Sequence, residues 1–182
     1  LLGIGLVFFF QAMLALIQYR SSAEALQQIV YWSMGSLTRA NWAANGVLAA
    51  VLIIALPILW ALGWRLTALR LGDARATAMG INTSRLRVVV LIVVSLVAAT
   101  TVAFAGIIGF IGLVGPHIAR MLVGEDQRYF LPASMAAGAA VMCAAHAVSL
   151  MIKPGLAIPI GIVTSLLGVP FFIAIVMTRR RA

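Results

Sequence analysis

A chain of 182 residues that is 64% hydrophobic and 9% charged has too much apolar surface for a water-soluble domain, so we expect an integral membrane protein in a lipid bilayer. The formal net charge of +9 would suggest nucleic acid as a partner of a soluble protein, but basic residues in membrane proteins mark cytoplasmic loops, and we expect no nucleic-acid partner. The single cysteine, Cys143, excludes a disulfide within the chain.

The first predicted membrane span is Leu1 to Tyr19. It carries no charge and, at about 1.5 Å per residue, is long enough to cross a hydrocarbon layer of about 30 Å. A polar side chain inside a span faces a neighbouring helix or a wet cavity, so Gln11 is predicted either to pack against another helix or to line a pathway. Because the chain begins in an apolar run without an initiator methionine, we expect a fragment of a longer protein.

Residues 21–42 are predicted to form an extracytoplasmic interfacial segment that does not span the membrane. Ser21 and Glu24 match a capping box with Ser21 as the N-cap of a short amphipathic helix. Trp32 is suited to anchor this helix at the membrane surface, and Asn41 is a candidate cap for the next helix. A plain connector and a docking surface both remain open for this segment.

The next predicted span runs from Gly46 to Trp64, with Pro57 expected to kink it. Trp60 and Trp64 are typical of an aromatic belt at a membrane surface. Residues 65–87 follow with five of the thirteen Lys and Arg residues and only one acid, which predicts a cytoplasmic loop.

Residues 88–119 form an uncharged run of 32 residues that is too long for one helix. The basic loop before it and the arginines at 179–181 should both lie in the cytoplasm, so an even number of spans must separate them. Two spans are predicted downstream, at 129–152 and about 158–178. The uncharged run must therefore cross twice, as a full helix to about Phe104 and a shorter glycine-rich return.

The last two predicted spans carry small residues and prolines. Ala136, Ala140 and Ala144 recur at four-residue spacing in the span 129–152, which predicts close packing with several neighbours. Pro159 is expected to open the final span.

The predicted fold is therefore an all-α, polytopic helical bundle with six transmembrane spans in a single transmembrane domain over 1–182. Ten basic residues fall on the cytoplasmic side. Only Arg20, Arg39 and Lys153 fall outside, and this bias fixes the predicted orientation.

The motifs of enzymes are missing from the sequence. There is no P-loop, no metalloprotease motif and no set of Ser, His and Asp, and the four acids all fall in predicted loops. Without an intramembrane carboxylate, coupling to protons or sodium is disfavoured, so the energy for any pumping is expected from another subunit. His117 and His146 could ligate haem or a metal, but packing or a hydrogen bond is the favoured interpretation.

Three stretches resemble one family of permeases. Residues 106–120, GIIGFIGLVGPHIAR, resemble the GxIGFIGLxxPHxxR signature of FecCD/BtuC-type permeases, which import iron-siderophore complexes, haem and cobalamin. Residues 158–171 resemble the LPxGxxTxxxGxPxF segment of that family, and residues 71–82, LGDARATAMGIN, resemble its LGxxxAxxxG loop. The signature positions are Gly109, Phe110, Gly112, Pro116, His117, Arg120, Pro159, Gly161, Gly168 and Pro170.

The resemblance implies the transmembrane subunit of a type II ABC importer in the bacterial or archaeal inner membrane. It implies a ten-span permease of which this chain is the C-terminal six, paired with a second copy or a fused half. Separate ATPase subunits would bind below and an extracytoplasmic substrate-binding protein above, so the permease itself would be no enzyme and hold no cofactor. The residues that the resemblance assigns to ATPase coupling are Gly72, Asp73, Ala74, Arg75, Ala76, Met79 and Gly80.

The sequence departs from the family at its outer surface. Ala157 stands where the family commonly has a glutamate, and Leu150 where it commonly has an arginine that is suited to contact the binding protein. We therefore expect Arg20, Arg39 and Lys153 to form a sparse basic rim for that partner.

Two other functions remain as alternatives to the importer. A secondary transporter or channel is one, although it lacks the expected membrane carboxylate. A haem-binding membrane protein that uses His117 and His146 is the other. For the importer, Gln11 and the last helix are candidates to line the substrate pathway.

Overall fold

The structure is a computed structural model that describes residues 2–152 and 158–179, and within those ranges it is all α-helical, as predicted. The helices are α1 (Leu2–Arg20), α2 (Ala23–Ser33), α3 (Trp42–Ala61), α4 (Gly63–Leu69), α5 (Asp73–Ala78), α6 (Thr83–Ala105), α7 (Ile111–Val123), α8 (Gln127–Ile152) and α9 (Ile160–Arg179). In this part of the chain α1, α3, α6 and α8 are long and apolar enough to cross a membrane. Helix α7 and the first part of α9 are apolar but shorter.

Short polar side chains cap the starts of α2, α3 and α6, with one difference from expectation. Asn41 accepts a hydrogen bond from the amide of Ala44 at 2.7 Å and caps α3 as predicted. The N-cap of α2 is Ser22, which accepts from the amide of Ala25 at 3.3 Å, and not Ser21. The reason is that the Ser21 hydroxyl donates to a carbonyl in the last turn of α1, at 2.7 Å, and is already committed to that helix.

The predicted span from Gly46 to Trp64 is wrong at both ends. Helix α3 begins at Trp42 and ends at Ala61, with Pro57 inside it, and Trp64 belongs to the separate helix α4.

The helices define two ends of the molecule. At the first, which we call the basic end, α4 and α5 connect α3 to α6. Helix α4 contacts the start of α8, and Arg70, which follows α4, pairs with Glu125 between α7 and α8. At the second, the α2 end, the connection after α2 contacts the end of α6 and the start of α9. The arginines of the basic end are Arg65, Arg70, Arg75, Arg85, Arg87, Arg120 and Arg128. Arg20 and Arg39 flank α2, so the basic residues that the structure describes up to residue 152 are fewer at the α2 end than at the basic end.

The uncharged run 88–119 divides into two antiparallel helices, as predicted. Helix α6 ends at Ala105, and the non-helical residues 106–110 then lead into α7. This non-helical stretch lies beside the first half of α9: Gly109 approaches Ser165, and the ring of Phe110 lies directly against Gly168. Non-helical backbone is tolerated at membrane depth only where protein or water shields it, and α9 supplies part of that shield.

Three chain segments meet closely at the α2 end through Gly35, Gly106 and Gly161. We call these three residues the glycine junction. A methyl group on Gly106 would overlap the carbonyl oxygen of Trp32, and one on Gly161 would overlap that of Met34. Gly35 and Gly106 also have positive φ angles, of 73° and 76°, which favour glycine. Only glycine therefore lets these three backbones approach so closely.

Backbone hydrogen bonds complete the glycine junction. The amide of Ser36 donates to the carbonyl of Ala105 at 2.9 Å, and the amide of Ile160 donates to the carbonyl of Gly35 at 3.1 Å. The amide of Gly161 donates to the carbonyl of Met34, also at 3.1 Å. The Ala105 carbonyl and the amides of Ile160 and Gly161 belong to the ends of α6 and α9, where helices leave such groups unpaired, and the junction gives each of them a protein partner.

Helices α7 and α8 make the most extensive helix contact within the described residues. Gly115 of α7 faces Gly138 of α8, and a methyl group on Gly115 would lie 3.1 Å from the Gly138 Cα. The buried face of α8 continues through Ala145 and Ser149.

The small-residue face predicted from Ala136, Ala140 and Ala144 is exposed in this chain. These alanines lie two residues out of register with Gly138, and two residues rotate the side chain by about 200° around a helix. The prediction of tight packing was right for α8 but wrong about the face.

The buried residues form two small clusters. One, at the basic end, contains Ala68, Ala76, Ile81 and Leu86. The other, at the α2 end, contains Ala145, Ile160 and Val163. Between them, large apolar side chains point outward along α1, α3, α6 and α9, as expected where lipid or further helices replace water. Helix α1 has no buried residue.

We predict that Gly161→Ala lowers the thermal unfolding temperature of the purified protein by several degrees, because overpacking typically costs about 1–3 kcal/mol. Gly112→Ala is the matched control, since Gly112 also lies in the first turn of a helix but has open space around it. The control should be neutral or slightly stabilising because alanine favours helix by about 1 kcal/mol. Equal melting temperatures for both variants would contradict the glycine junction.

Candidate functional site

The candidate site is built on α4, which is tied to the start of α8. The Thr67 hydroxyl donates to the carbonyl of Gly63 at 3.1 Å within α4, and it accepts from the amide of Gln127 at 3.1 Å. Gly63 lies against Arg128, and a methyl group there would be 3.7 Å from the Arg128 amide nitrogen. These contacts therefore fix α4 against the start of α8.

Helix α5 sits on α4 as a compact turn bounded by two glycines. Gly72 precedes it with φ of 99°, and Gly80 follows it with φ of 78°, so both positions favour glycine. Between them Ala76 is fully buried and packs in the cluster with Ala68 and Ile81. The two glycines of the LGxxxAxxxG pattern thus allow the chain to turn before and after α5, and the alanine packs α5 against α4.

The remaining predicted coupling residues are exposed on the surface of the structure. Met79 is 48% exposed, and the side chains of α5 other than Ala76 are exposed as well. The exposed positions from the predicted set are Gly72, Asp73, Ala74, Arg75, Met79 and Gly80. The structure therefore brings the predicted set together on one projecting element, with Ala76 as its buried seat.

Ion pairs join α5 and α4 to neighbouring helices. Asp73, at the start of α5, accepts from the Arg87 guanidinium of α6 at 2.6 Å. Glu125, between α7 and α8, pairs with Arg70 and lies 3.4 Å from the guanidinium of Arg120. Such exposed pairs contribute only about 0.2–1 kcal/mol each to stability, so their main effect here is to orient the elements.

Sequence reasoning missed part of this framework. Glu125, Thr67 and Gln127 carried no motif, and the Thr67–Gln127 hydrogen bond joins residues 60 apart in the chain. The one sequence signal for Glu125 is its position beside Asp126, in an acidic turn close to several arginines, which could have marked it as a partner for arginine.

The two signature segments meet in space, where Phe110 lies over Gly168. Phe110 has a φ of 67°, the one positive φ among non-glycine residues in the described part of the chain. The Phe110 ring lies against Gly168 at the position that a side chain would occupy, so any larger residue at 168 would overlap the ring. Such strained backbone persists only where the surroundings hold it, and the absence of a side chain at residue 168 makes room for the ring.

The other signature residues have separate structural surroundings. The ring of His117 packs edge-on against Phe171, with centroids 5.7 Å apart. Arg120 lies 5.9 Å from the ring centroid of Phe130. Pro116 and Pro170 lie inside α7 and α9, Pro159 precedes α9, and Gly112 has open space around it.

The two histidines are too far apart to bind one haem iron within this chain. Gly115 and Gly138 mark the same depth of the antiparallel helices α7 and α8. From there His117 lies two residues toward the basic end and His146 eight residues toward the α2 end. At about 1.5 Å per residue this is an axial separation of roughly 15 Å.

The candidate docking and pathway residues are only partly placed. Arg20 ends α1 and is exposed, and Arg39 is exposed in the connection between α2 and α3. Arg39 lines a cavity of about 450 Å³ together with Gln28 and Tyr31. Lys153 lies outside the described residues. Gln11 is exposed on α1, on a helix that this chain leaves uncovered.

Comparisons with known proteins agree on one family. Residues 1–178 match the FecCD transport family. A protein of Methanocaldococcus jannaschii named as an ABC transporter permease is 38% identical over 177 residues, which are 97% of this chain and 51% of that protein. The hemin transport system permease protein HmuU of Yersinia pestis is 36% identical over 170 residues, 93% of this chain and 51% of the relative.

A solved structure has the same fold. A metal-chelate type ABC transporter in an inward-facing conformation matches with a TM-score of 0.91 and 36% identity, over 97% of this chain and 57% of that chain. The chain thus spans about half the length of the relatives it matches.

We predict that Ala76→Leu unseats α5, because a larger side chain has no space in the buried cluster. Ala74→Leu makes the same change at an exposed position of the same helix and should leave α5 in place. Amide hydrogen exchange over residues 72–81 measures the difference, and we expect exchange about tenfold faster in Ala76→Leu alone. Equal exchange in the two variants would refute the buried seat.

Proposed function

Because the chain belongs to the FecCD transport family, we propose that it forms the C-terminal part of a permease in an ATP-driven importer of iron chelates, haem or cobalamin-like solutes. Members of this family are inner-membrane permeases, and the apolar helices fit that location. The hemin permease and the metal-chelate transporter support a metal-chelate class of solute. ATP hydrolysis would belong to separate subunits, since the sequence contains no P-loop.

We infer six membrane crossings, made by α1, α3, α6, α7, α8 and α9, within a ten-span whole protein. Helix α7 has 13 residues, about 20 Å at 1.5 Å per residue, and cannot cross alone. The five non-helical residues before it add at most about 17 Å, and together they suffice for a hydrocarbon layer of about 30 Å. The basic end would then face the cytoplasm, since it carries most of the arginines.

The projecting helix α5 is the observation that carries the coupling proposal. Residues 72–80 would contact an ATPase subunit, with Arg75 and Met79 as exposed contacts. Because Ala76 is buried and Asp73 pairs with α6, a push on α5 would pass to the membrane helices instead of being absorbed by a flexible loop. Closure of the ATPase dimer would thereby drive alternating access.

The substrate pathway is proposed to lie between two copies of the permease. Helix α1 buries none of its residues in this chain, so a partner is expected to cover part of it. Gln11 is exposed on this helix and is the proposed polar contact in the pathway. A homodimer and a pair of fused halves are both compatible with this arrangement.

The substrate-binding protein is proposed to dock at the α2 end. Arg20 and Arg39 are both exposed there, and Lys153 follows α8, which ends at the same end. These three cations would complement acidic residues on the binding protein.

We predict that Arg75→Glu weakens binding of the ATPase subunits about tenfold and lowers ATP-dependent uptake, because it reverses an exposed charge on the projecting helix. Arg128→Glu, at the basic end but outside α5, is the control and should leave both unchanged. Co-purification of ATPase subunits and uptake into proteoliposomes are the measurements. If Arg75→Glu assembles and transports like the unmodified protein, the coupling role of α5 is wrong.

We predict that reversing the charges of Arg20, Arg39 and Lys153 together weakens docking of the binding protein about tenfold at low salt, with a smaller effect at high salt. The double variant Arg20→Lys with Arg39→Lys keeps all three charges and should dock normally. Surface plasmon resonance at two ionic strengths is the measurement. Unchanged docking of the reversed variant would remove the basic rim from the proposal.

A further inference from the structure

A cavity of about 570 Å³ opens at the basic end, between the end of α3 and the start of α6. Its apolar side is formed by Leu62, Leu86 and Val89. Arg65 and Arg85 are the charged residues of its lining. The remaining lining residues are Trp64, Gly80, Ile81 and Asn82.

The two arginines of this cavity are not neutralised by carboxylates. None of the ion pairs among the described residues includes Arg65 or Arg85, since Asp73 and Glu125 pair with other arginines. Neither guanidinium donates a hydrogen bond within the same part of the chain, although Arg65 lies 5.6 Å from the ring centroid of Trp64. Two like charges beside one cavity favour an anionic ligand.

The surroundings of the cavity place it at the membrane surface. Trp64 directly follows the apolar helix α3, and tryptophan in this position is typical of the level of the lipid headgroups. Val89 lies inside the apolar helix α6, so the apolar side of the cavity extends toward the hydrocarbon layer. A ligand that fits both sides has an anionic head and an apolar tail.

We propose that this cavity binds the headgroup of an acidic phospholipid of the cytoplasmic leaflet, with Arg65 and Arg85 contacting its phosphate. Basic pockets between membrane helices on the cytoplasmic side are known to suit such headgroups. An acidic segment of an ATPase subunit is the weaker fit, because it would leave the apolar side of the cavity unused. The proposal rests on the proposed orientation, in which α3 and α6 span the membrane and the basic end faces the cytoplasm, and it does not depend on the coupling role of α5.

A lipid bound here would also affect the neighbouring coupling surface. Arg65 belongs to α4 and Arg85 to the first turn of α6, and α5 lies between these two helices in the chain. One phosphate that contacts both arginines would hold α4 and α6 together on either side of α5. Acidic lipid would thus brace the element that is proposed to contact the ATPase.

The experiment titrates the full chain, purified in detergent, with phosphatidylglycerol or phosphatidylcholine and counts bound lipid by native mass spectrometry. We expect the first phosphatidylglycerol to bind about tenfold more tightly than phosphatidylcholine, as two arginines at a membrane surface allow. Arg65→Gln with Arg85→Gln should reduce this preference to about twofold or less. The matched control, Arg75→Gln with Arg128→Gln, removes the same charge at the same end and should keep the preference.

Further arms keep the test independent of how well the glutamine variant folds. The lysine pair, Arg65→Lys with Arg85→Lys, should retain most of the preference, and 0.5 M salt should weaken it in the unmodified chain. Equal affinity for the two lipids, or a preference that survives in the glutamine variant, would overturn the proposal. Displacement by millimolar inorganic phosphate would assign a small-anion site, and loss of ATPase binding with unchanged lipid binding would assign a protein contact; either outcome also overturns it.

Discussion

A lipid bilayer offers no hydrogen-bond partner to the polypeptide backbone, and this constraint shapes the whole chain. Most of the protein meets it with helices, whose backbone groups pair internally. Residues 106–110 are not helical, so their backbone groups cannot pair in this way. They lie against α9, whose Gly168 leaves room for Phe110. The glycine junction of Gly35, Gly106 and Gly161 then pairs the free ends of three elements with one another. The glycines therefore act as points of backbone contact and not as points of flexibility.

Several residues of the family motifs determine the path of the backbone. The signature residues Phe110 and Gly168 are far apart in sequence, yet they touch, and so they maintain the path of the chain through the membrane. In the loop motif, Gly72, Ala76 and Gly80 also set shape, because they turn and seat α5. The residues between them are exposed, and Asp73 among them pairs with Arg87 of α6. Residues that set the shape of α5 and exposed residues thus alternate along one short segment.

The sequence by itself determined the membrane class, the distribution of charge between the two ends and the division of residues 88–119 into two helices. These follow from composition, span length and parity, which need no knowledge of neighbours. Local chemistry also sufficed at Asn41, whose side chain bonds to an amide three residues away. The pattern LGxxxAxxxG marked the candidate coupling residues within nine consecutive positions, 72–80, and their coupling role stays a prediction.

Only the tertiary structure decided which face of each helix is used. The alanines of α8, such as Ala140, are exposed because Gly138 on the opposite face meets Gly115 of α7. Ala76 looks like any other small residue of its loop, yet it is the buried one, because Ala68 and its neighbours enclose it. Most helices of this chain are apolar on nearly every face. Hydrophobic periodicity therefore cannot distinguish a face that contacts lipid from one that packs against protein, and only contacts between distant residues identify the packed face.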